Sequence, residues 1–163
     1  MFRTVLGSAL HRGCYLAGWA QYRQGAAKFL PSNYKAGLCS NIIFAFAGID
    51  SSNNAVYVVF NLPQNIRAYL TDRTLDPTDE QIYGQVNALK QHDALLKTHL
   101  SFGGWKLSET PVFTQMTASA NTRAAFITSA IAFVRKYGFD GIDIDWEYPA
   151  GETDKDNFSA LFR

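Results

Sequence analysis

Residues 139–149 read FDGIDIDWEYP, a stretch that combines four carboxylates with isoleucine and tryptophan side chains. If this stretch forms a strand, successive side chains point to opposite faces. One face then carries Asp143, Asp145 and Glu147, and the other carries Ile142, Ile144 and Trp146. Three neighbouring carboxylates repel one another, so at least one must hold a proton at neutral pH or pair with a cation. This costly arrangement indicates a catalytic site, where one carboxyl is held neutral as an acid while its neighbour stays charged.

The length and composition of the whole chain are those of a globular protein with one core. The chain has 163 residues, of which 47% are hydrophobic and 18% are charged, and this length predicts one domain. A net charge of +1 without a Lys/Arg cluster argues against a nucleic-acid partner. The longest apolar stretch, Ile42–Ile49, is too short to cross a membrane. Aromatic residues make up 14%, which is typical either of a carbohydrate-binding cleft or of a large core.

The N-terminal residues and the two cysteines leave alternatives open. Residues 1–12 carry a short apolar piece, Val5–Leu10, and resemble a poor signal peptide, so we predict an irregular leader. Cys14 and Cys39 are the two cysteines, and two alone do not decide between a disulfide and buried free thiols. A disulfide would contribute roughly 3 kcal/mol through loop closure and would imply an oxidising compartment.

Strand and helix signals alternate along the chain. Strands are predicted at 14–19, 41–47, 95–102 and in the acidic stretch, with an extra strand at 55–60 and an irregular connection at 61–77. Three helices are predicted. The first begins at an N-cap at Thr78, and the second covers Asn121–Tyr137 and stops at Gly138. The third begins at a cap at Thr153 or Asp154. This alternation predicts a parallel α/β fold. Both a doubly wound open sheet and a (β/α)8 barrel, which typically needs about 250 residues, fit the pattern.

Two segments stand where such folds place their sites. Residues 103–105 (Gly-Gly-Trp) and 143–147 both lie at the C-terminal ends of predicted strands, and barrel enzymes place their active sites at the carboxyl ends of strands. The glycines lack the G-x-G-x-x-G spacing, so a dinucleotide site has no support. The acidic cluster has no His and no EF-hand spacing, which makes a metal site a weak alternative, and a purely solvated acidic face is another. Acid catalysis on a glycosidic bond is the favoured interpretation.

The octapeptide 140–147, DGIDIDWE, resembles the D-x-x-D-x-D-x-E signature of glycoside hydrolase family 18, the chitinases. The resemblance extends to animal-type chitinases through most of the chain. The segments that carry it are Cys14–Tyr15, Trp19–Arg23, Leu38–Cys39, Ile42–Ala47, Leu96–Thr98, Ser101–Trp105 and Lys136–Phe139.

The resemblance implies a fold and a reaction. The fold would be a parallel (β/α)8 barrel of which only about the first four βα units are present, with residues 13–163 as the N-terminal half of the catalytic domain. The reaction would be substrate-assisted, retaining hydrolysis of β-1,4 N-acetylglucosamine polymers. Glu147 matches the general acid, Asp145 the residue that orients the substrate acetamide, and Asp143 the neighbour that shares a proton with Asp145.

The resemblance also implies supporting residues, partners and a location. Matches to family positions in the sugar-binding cleft are Tyr15, Phe46, Gly103, Gly104, Trp105 and Tyr148. Asp140 falls on the opposite parity and is expected to support the strand entrance. Cys14 and Cys39 match the family's disulfide, which implies a secreted, extracellular protein. The expected partner is chitin or a chito-oligosaccharide, with no cofactor, no metal, and a monomer at full length.

The family's later elements do not follow the fourth strand, so the chain is expected to be a fragment of a longer chitinase-like protein or a truncated product. Two other functions therefore stay open. One is a chitin-binding, lectin-like protein without turnover, and the other is an inactive truncated fragment.

Overall fold

A computed structural model describes residues 11–50, 56–57 and 77–163 of the chain. Most of the predicted leader, the connection at 61–76 and most of the extra strand predicted at 55–60 lie outside these ranges. The strands are β1 Gly13–Ala17, β2 Asn41–Ile49, β3 Val56–Tyr57, β4 Lys97–Gly103 and β5 Gly141–Asp145. The helices are α1 Pro77–Ala88, α2 Trp105–Ser108, α3 Val112–Thr117, α4 Ala120–Tyr137 and α5 Gly151–Leu161. Short 3₁₀ turns cover Gly18–Tyr22, Gly25–Ala27, Pro31–Asn33 and Leu89–Gln91.

The sheet keeps the order of the sequence. Strands β1, β2, β4 and β5 lie side by side and pair in parallel, while β3 pairs antiparallel with the end of β2. A doubly wound sheet reverses its strand order at a switch point, and the described strands show no such reversal. The predicted parallel α/β class is therefore confirmed, and the strand order is that of successive units of a barrel.

The core lies between the sheet and the helices that cover its outer face. Phe44 of β2 and Leu100 of β4 are fully buried. Tyr83 of α1 packs edge-on against Phe44 and against Phe139, with ring centroids 5.2 and 5.5 Å apart. Both β2 and β4 have strand neighbours on both sides. The apolar run of β2 is accordingly mostly buried, as expected for a central strand of a parallel sheet.

Both ends of helix α4 are fixed by residues close to them in the sequence. Ser119 caps α4 by accepting a hydrogen bond from the Thr122 backbone N–H at 3.2 Å. At the other end, Gly138 takes a left-handed conformation (φ 81°), so the predicted stop is confirmed.

Two predicted caps are wrong. Helix α1 begins at Pro77, one residue before the predicted cap at Thr78, since proline suits the first helical position, where no N–H partner is needed. Helix α5 begins at Gly151 rather than after Thr153 or Asp154. Asp154 instead lies in the first turn, where its Oδ2 accepts a hydrogen bond from the Ala150 N–H at 3.2 Å.

Cys14 of β1 and Cys39 form a disulfide across 25 positions of sequence, with Cα atoms 6.0 Å apart. The predicted pairing is confirmed, and it ties β1 to the segment that enters β2. Within the described ranges, the helices are all too short or too polar to cross a bilayer.

Candidate active site

The register of β4 against β5 brings two of the acids beside small residues. Ser101 pairs with Asp143, and Gly103 pairs with Asp145. Both pairs lie at the carboxyl end of the parallel sheet, the end at which α/β enzymes bind their substrates. Strand β5 ends at Asp145, so Glu147 follows two residues beyond it.

Trp146 separates Asp145 from Glu147 and points the opposite way, into the core. Its indole stacks on Phe113 at 5.3 Å between ring centroids and meets Phe158 edge-on at 5.5 Å. This buried ring anchors the backbone between the two acids, so that alternation brings both carboxyl groups to the other side.

Two hydroxyl groups converge on one oxygen of Asp143. Its Oδ2 accepts hydrogen bonds from the Ser101 hydroxyl at 2.6 Å and from the Tyr15 hydroxyl at 3.1 Å. Partial burial and then the neighbouring charge of Asp143 raise the pKa of Tyr15 to about 12. Tyr15 therefore keeps its proton at neutral pH and remains a donor to the carboxylate.

The carboxyl group of Asp145 lies close enough to those of Glu147 and Asp143 to feel both of their charges. Burial first, and then the charges of Glu147 and Asp143, raise the pKa of Asp145. Of the three acids, Asp145 is therefore the one whose surroundings favour the protonated form. The proton predicted to be shared between Asp143 and Asp145 stays a prediction.

The turn between β4 and α2 fits closely against the acidic segment. The Gly104 N–H donates to the Asp145 carbonyl at 2.8 Å, and the Glu147 N–H donates to Ser108 Oγ at 2.8 Å. A Cβ at Gly103 (φ +132°) would collide with the carbonyl of Asp145. A Cβ at Gly104 would lie 2.7 Å from a ring carbon of Phe46. Glycine is thus needed at both positions for backbone conformation and for close approach.

The aromatic residues expected in a cleft lie on, or shortly after, the four parallel strands. Tyr15 contacts Asp143, Trp105 opens α2, and Tyr148 follows Glu147, and these three side chains are 59%, 53% and 72% exposed. Phe46, half-buried, stacks on Trp19 with ring centroids 6.1 Å apart. Large exposed aromatic faces beside a polar cluster are suited to stacking against sugar rings.

Asp140 lies at the opposite end of β5 from the other three acids. Its Oδ2 accepts hydrogen bonds from the Thr98 N–H and from Lys90 Nζ, both at 2.9 Å, and its Oδ1 lies 3.5 Å from Lys97 Nζ. Partial burial alone would raise its pKa, but the Thr98 N–H and the two lysines lower the pKa to about 2. Asp140 therefore serves as a paired anion at the strand entrance, away from the acidic cluster.

Two further residues of the site, Ser101 and Ser108, are absent from the candidates that the sequence predicts. Ser101 lies in a segment that resembles the third strand of the family, and its parity with Gly103 indicates that it faces the acids. Ser108 gave no signal, because a side-chain bond to a backbone 39 positions away depends on tertiary structure. In the described part of the chain, no group of three or more His, Cys, Asp or Glu side chains could hold a metal ion.

Comparison with known proteins places this arrangement in a family. The model of Glycosyl hydrolases family 18 matches residues 11–163. A probable endochitinase of Caenorhabditis elegans is 52% identical over 153 residues, covering 93% of this chain and 23% of that protein. The immunomodulatory active chitinase of Trichuris suis is 36% identical with a TM-score of 0.76, covering 93% of this chain and 36% of that structure.

Human YKL-39, a pseudo-chitinase with retained chitooligosaccharide-binding properties, is 33% identical with a TM-score of 0.73, covering 93% of this chain and 36% of that structure. The chain thus spans about a quarter to a third of the length of these relatives. The family match covers nearly the whole chain, and the resemblance seen in the sequence is confirmed: the chain belongs to glycosyl hydrolase family 18.

Proposed function

We propose that this chain carries the acid-catalytic segment of a chitinase, which hydrolyses β-1,4-linked N-acetylglucosamine polymers with retention of configuration. One observation carries the proposal. Asp143 and Asp145 lie on β5 and Glu147 follows two residues beyond its end, so all three acids are present, and burial together with the neighbouring acids raises the pKa of Asp145. Carboxyl groups whose surroundings push their pKa values apart can supply both a proton donor and a charged partner.

The roles of the three acids follow from their partners. Glu147, beyond the end of the strand, protonates the glycosidic oxygen, and the acetamido oxygen of the substrate attacks the anomeric carbon. Asp145 orients the acetamide and stabilises the positive charge that develops on it. Asp143, held by Tyr15 and Ser101, supplies the neighbouring negative charge. Glu147 then removes a proton from the water that opens the intermediate.

The same end of the sheet offers the residues for substrate binding. Trp105 and Tyr148 present exposed faces for stacking on sugar rings, and Tyr15 and Phe46 line the floor beside the acids. Gly103 and Gly104 let the backbone approach the ligand closely. The proposed partner is therefore chitin or a chito-oligosaccharide.

Three further proposals concern the molecule as a whole. Residues 13–163 are the N-terminal half of a (β/α)8 catalytic barrel, preceded by an irregular leader at 1–12. The Cys14–Cys39 disulfide supports secretion, because such bonds persist in oxidising compartments. The full-length protein acts as a monomer.

The test is turnover of chito-oligosaccharides by a Glu147→Gln variant. Glutamine keeps the size of the side chain and its backbone contacts but cannot donate the proton. We expect kcat to fall by at least about 10²-fold, the contribution of a general acid. Asp156→Asn, at an exposed acid of α5, is the matched control and should behave as wild type. Turnover that survives Glu147→Gln would overturn the proposal.

A second candidate is oligosaccharide binding without turnover. It is favoured by the likeness to a human pseudo-chitinase that retains chitooligosaccharide binding and by the exposed aromatic faces. Calorimetric titration together with product analysis separates the two functions. Tight binding of chito-oligosaccharides by a wild-type protein that releases no product would establish this candidate in place of hydrolysis.

A further inference from the structure

We propose that Ser108 is a positioning residue for Glu147, and that α2 thereby joins the exposed ring of Trp105 to the acid. The inference rests on the proposed function, because Glu147 serves as an acid only in that reaction. It assigns to Ser108 a role that the acidic signature itself does not contain.

The backbone at Glu147 requires a partner from outside the sheet. Strand β5 ends at Asp145, so the Glu147 N–H lies beyond the hydrogen-bond ladder with β4. A partly buried backbone N–H is costly when it is left unpaired. Ser108 Oγ accepts this hydrogen bond at 2.8 Å, in a geometry that is near the ideal for N–H···O bonds.

The same turn also holds the residue on the other side of Trp146. The Gly104 N–H donates to the Asp145 carbonyl at 2.8 Å, and Trp146 itself is stacked on Phe113. Residues 103–108 therefore contact the acidic segment both before and after its buried ring. Of these contacts, the hydrogen bond that Ser108 Oγ accepts is the one made by Glu147 itself.

Fixing one N–H limits the direction of the side chain. The bond to Ser108 restricts the backbone at Glu147, and with it the direction of the Cα–Cβ bond that carries the carboxyl group. A general acid must lie within hydrogen-bond reach of the leaving oxygen, and a displacement of about 1 Å can cost about 10²-fold in rate. Loss of Ser108 Oγ should therefore reduce acid catalysis without removing the acid.

Helix α2 carries a binding residue and this contact on one turn. Trp105 is its first residue and Ser108 its last. Backbone hydrogen bonds of 3.0 Å from the Ser108 N–H to the Gly104 carbonyl and from the Glu109 N–H to the Trp105 carbonyl close the turn. A sugar ring stacked on Trp105 is thus held at a set position relative to Glu147.

The experiment compares Ser108→Ala, Ser108→Thr and the control Ser159→Ala, an exposed serine of α5. Kinetics are measured on chito-oligosaccharides and on a 2,4-dinitrophenyl chito-oligosaccharide, whose leaving group departs with little protonation. For Ser108→Ala we expect kcat on the natural substrate to fall roughly 10- to 100-fold, with KM nearly unchanged and with a much smaller loss on the dinitrophenyl substrate. Ser108→Thr, which keeps the acceptor, should restore turnover.

Equal losses on both substrates would indicate a merely structural role and overturn the inference, as would unchanged kinetics in Ser108→Ala. A measurement that is independent of activity is the exchange rate of the Glu147 backbone amide, followed by NMR. We expect exchange about tenfold faster in Ser108→Ala, with the Gly104 amide unchanged, and equal exchange at Glu147 would overturn the contact. If Glu147→Gln keeps its turnover, the proposed function fails, whereas the exchange rates still decide whether Ser108 holds Glu147.

Discussion

The four carboxylates of residues 140–147 have different partners, and this difference separates their chemistry. Asp140 is paired with two lysines, Lys90 and Lys97. In the described part of the chain, the other three acids form no ion pair. Asp143 accepts hydrogen bonds from two hydroxyl groups, while the charges of Asp143 and Glu147 act on Asp145 and raise its pKa. The acids that lack cations are the ones assigned to catalysis, so this part of the site is expected to cost stability.

That cost predicts the behaviour of Asp145→Asn. Burial and two neighbouring acids raise the pKa of Asp145 in the folded state. A raised pKa means that its contribution to stability is present at low pH and is lost as pH rises through the folded pKa. Removing the charge should therefore raise Tm by a few degrees at pH 7, raise it less at pH 4, and abolish turnover. Thermal unfolding at both pH values measures this, with Asp156→Asn as the control. A change in Tm that is the same at pH 7 and at pH 4 would contradict the raised pKa assigned to Asp145.

A second prediction at this scale concerns Gly103. Alanine there would have to adopt a φ of +132° and would place its Cβ against the Asp145 carbonyl. We expect Gly103→Ala to lower the free energy of unfolding by about 3 kcal/mol, the upper end for a strained residue. The matched control is Gly84→Ala in α1, where nothing lies within 4 Å of the added Cβ, and it should gain about 0.5–1 kcal/mol. Urea unfolding of both variants would refute the prediction if their effects had the same sign.

At the scale of elements, the entrance of β5 is fixed by the Asp140 cluster, which consists of Lys90, Lys97, Thr98 and Asp140. The Asp140 N–H donates to the Thr98 carbonyl at 2.8 Å, and the Thr98 N–H donates back to Asp140 Oδ2 at 2.9 Å. Lys90 Nζ also donates to the Gly138 carbonyl at 2.7 Å. This cluster joins the end of α4 to β4 and β5, and so sets the register that brings Asp143 beside Ser101. A slip of one residue would turn every acid to the other face.

Asp140→Asn tests this role through pH. The folded-state pKa of about 2 lies below the ordinary value of 3.8, so the stability contributed by Asp140 is present above about pH 4 and is lost as pH falls towards 2. We expect the variant to lose about 1.5 kcal/mol at pH 7, the lower end for a hydrogen bond to a charged group, and less at pH 3. Urea midpoints at both pH values measure this, with Asp156→Asn as control. A deficit that grows on acidification would contradict the assigned role.

Helix ends and strand faces could be predicted from the sequence where neighbouring residues determine them. The stop at Gly138 is correct because left-handed glycine ends a helix through its own backbone. Parity assigned Asp143 and Asp145 to one face, but it did not reveal that Ile142 is 36% exposed. Among the described strands β5 has one neighbour, β4, and so lies at an edge of the sheet. Contacts such as Ser101 to Asp143, which join residues 42 positions apart, depend on the register between strands, and no local pattern encodes that register.

At the scale of the whole molecule, the β1–β2 connection draws little support from the core. Its three 3₁₀ turns between residues 18 and 33 bury Gly18, Ala20 and Pro31, and all three residues are small or rigid. Phe29 and Leu38 of this segment are exposed. The Cys14–Cys39 disulfide closes the loop, so the covalent bond supplies order that apolar packing does not.

Replacing both cysteines should therefore act on this connection first. By the loop-closure estimate, the double variant Cys14→Ala, Cys39→Ala should lower the free energy of unfolding by about 3 kcal/mol. The reason is that the unfolded chain can adopt more conformations once the loop is open. The loop contains Arg23, Lys28 and Lys35, all exposed, so limited trypsin digestion should begin there in the double variant and in the reduced wild-type protein. Lys155, exposed on α5, is the internal control and should be cut no earlier than in the oxidised protein. If the loop sites stay as resistant as in the oxidised protein, the disulfide is not what holds the connection in the folded state.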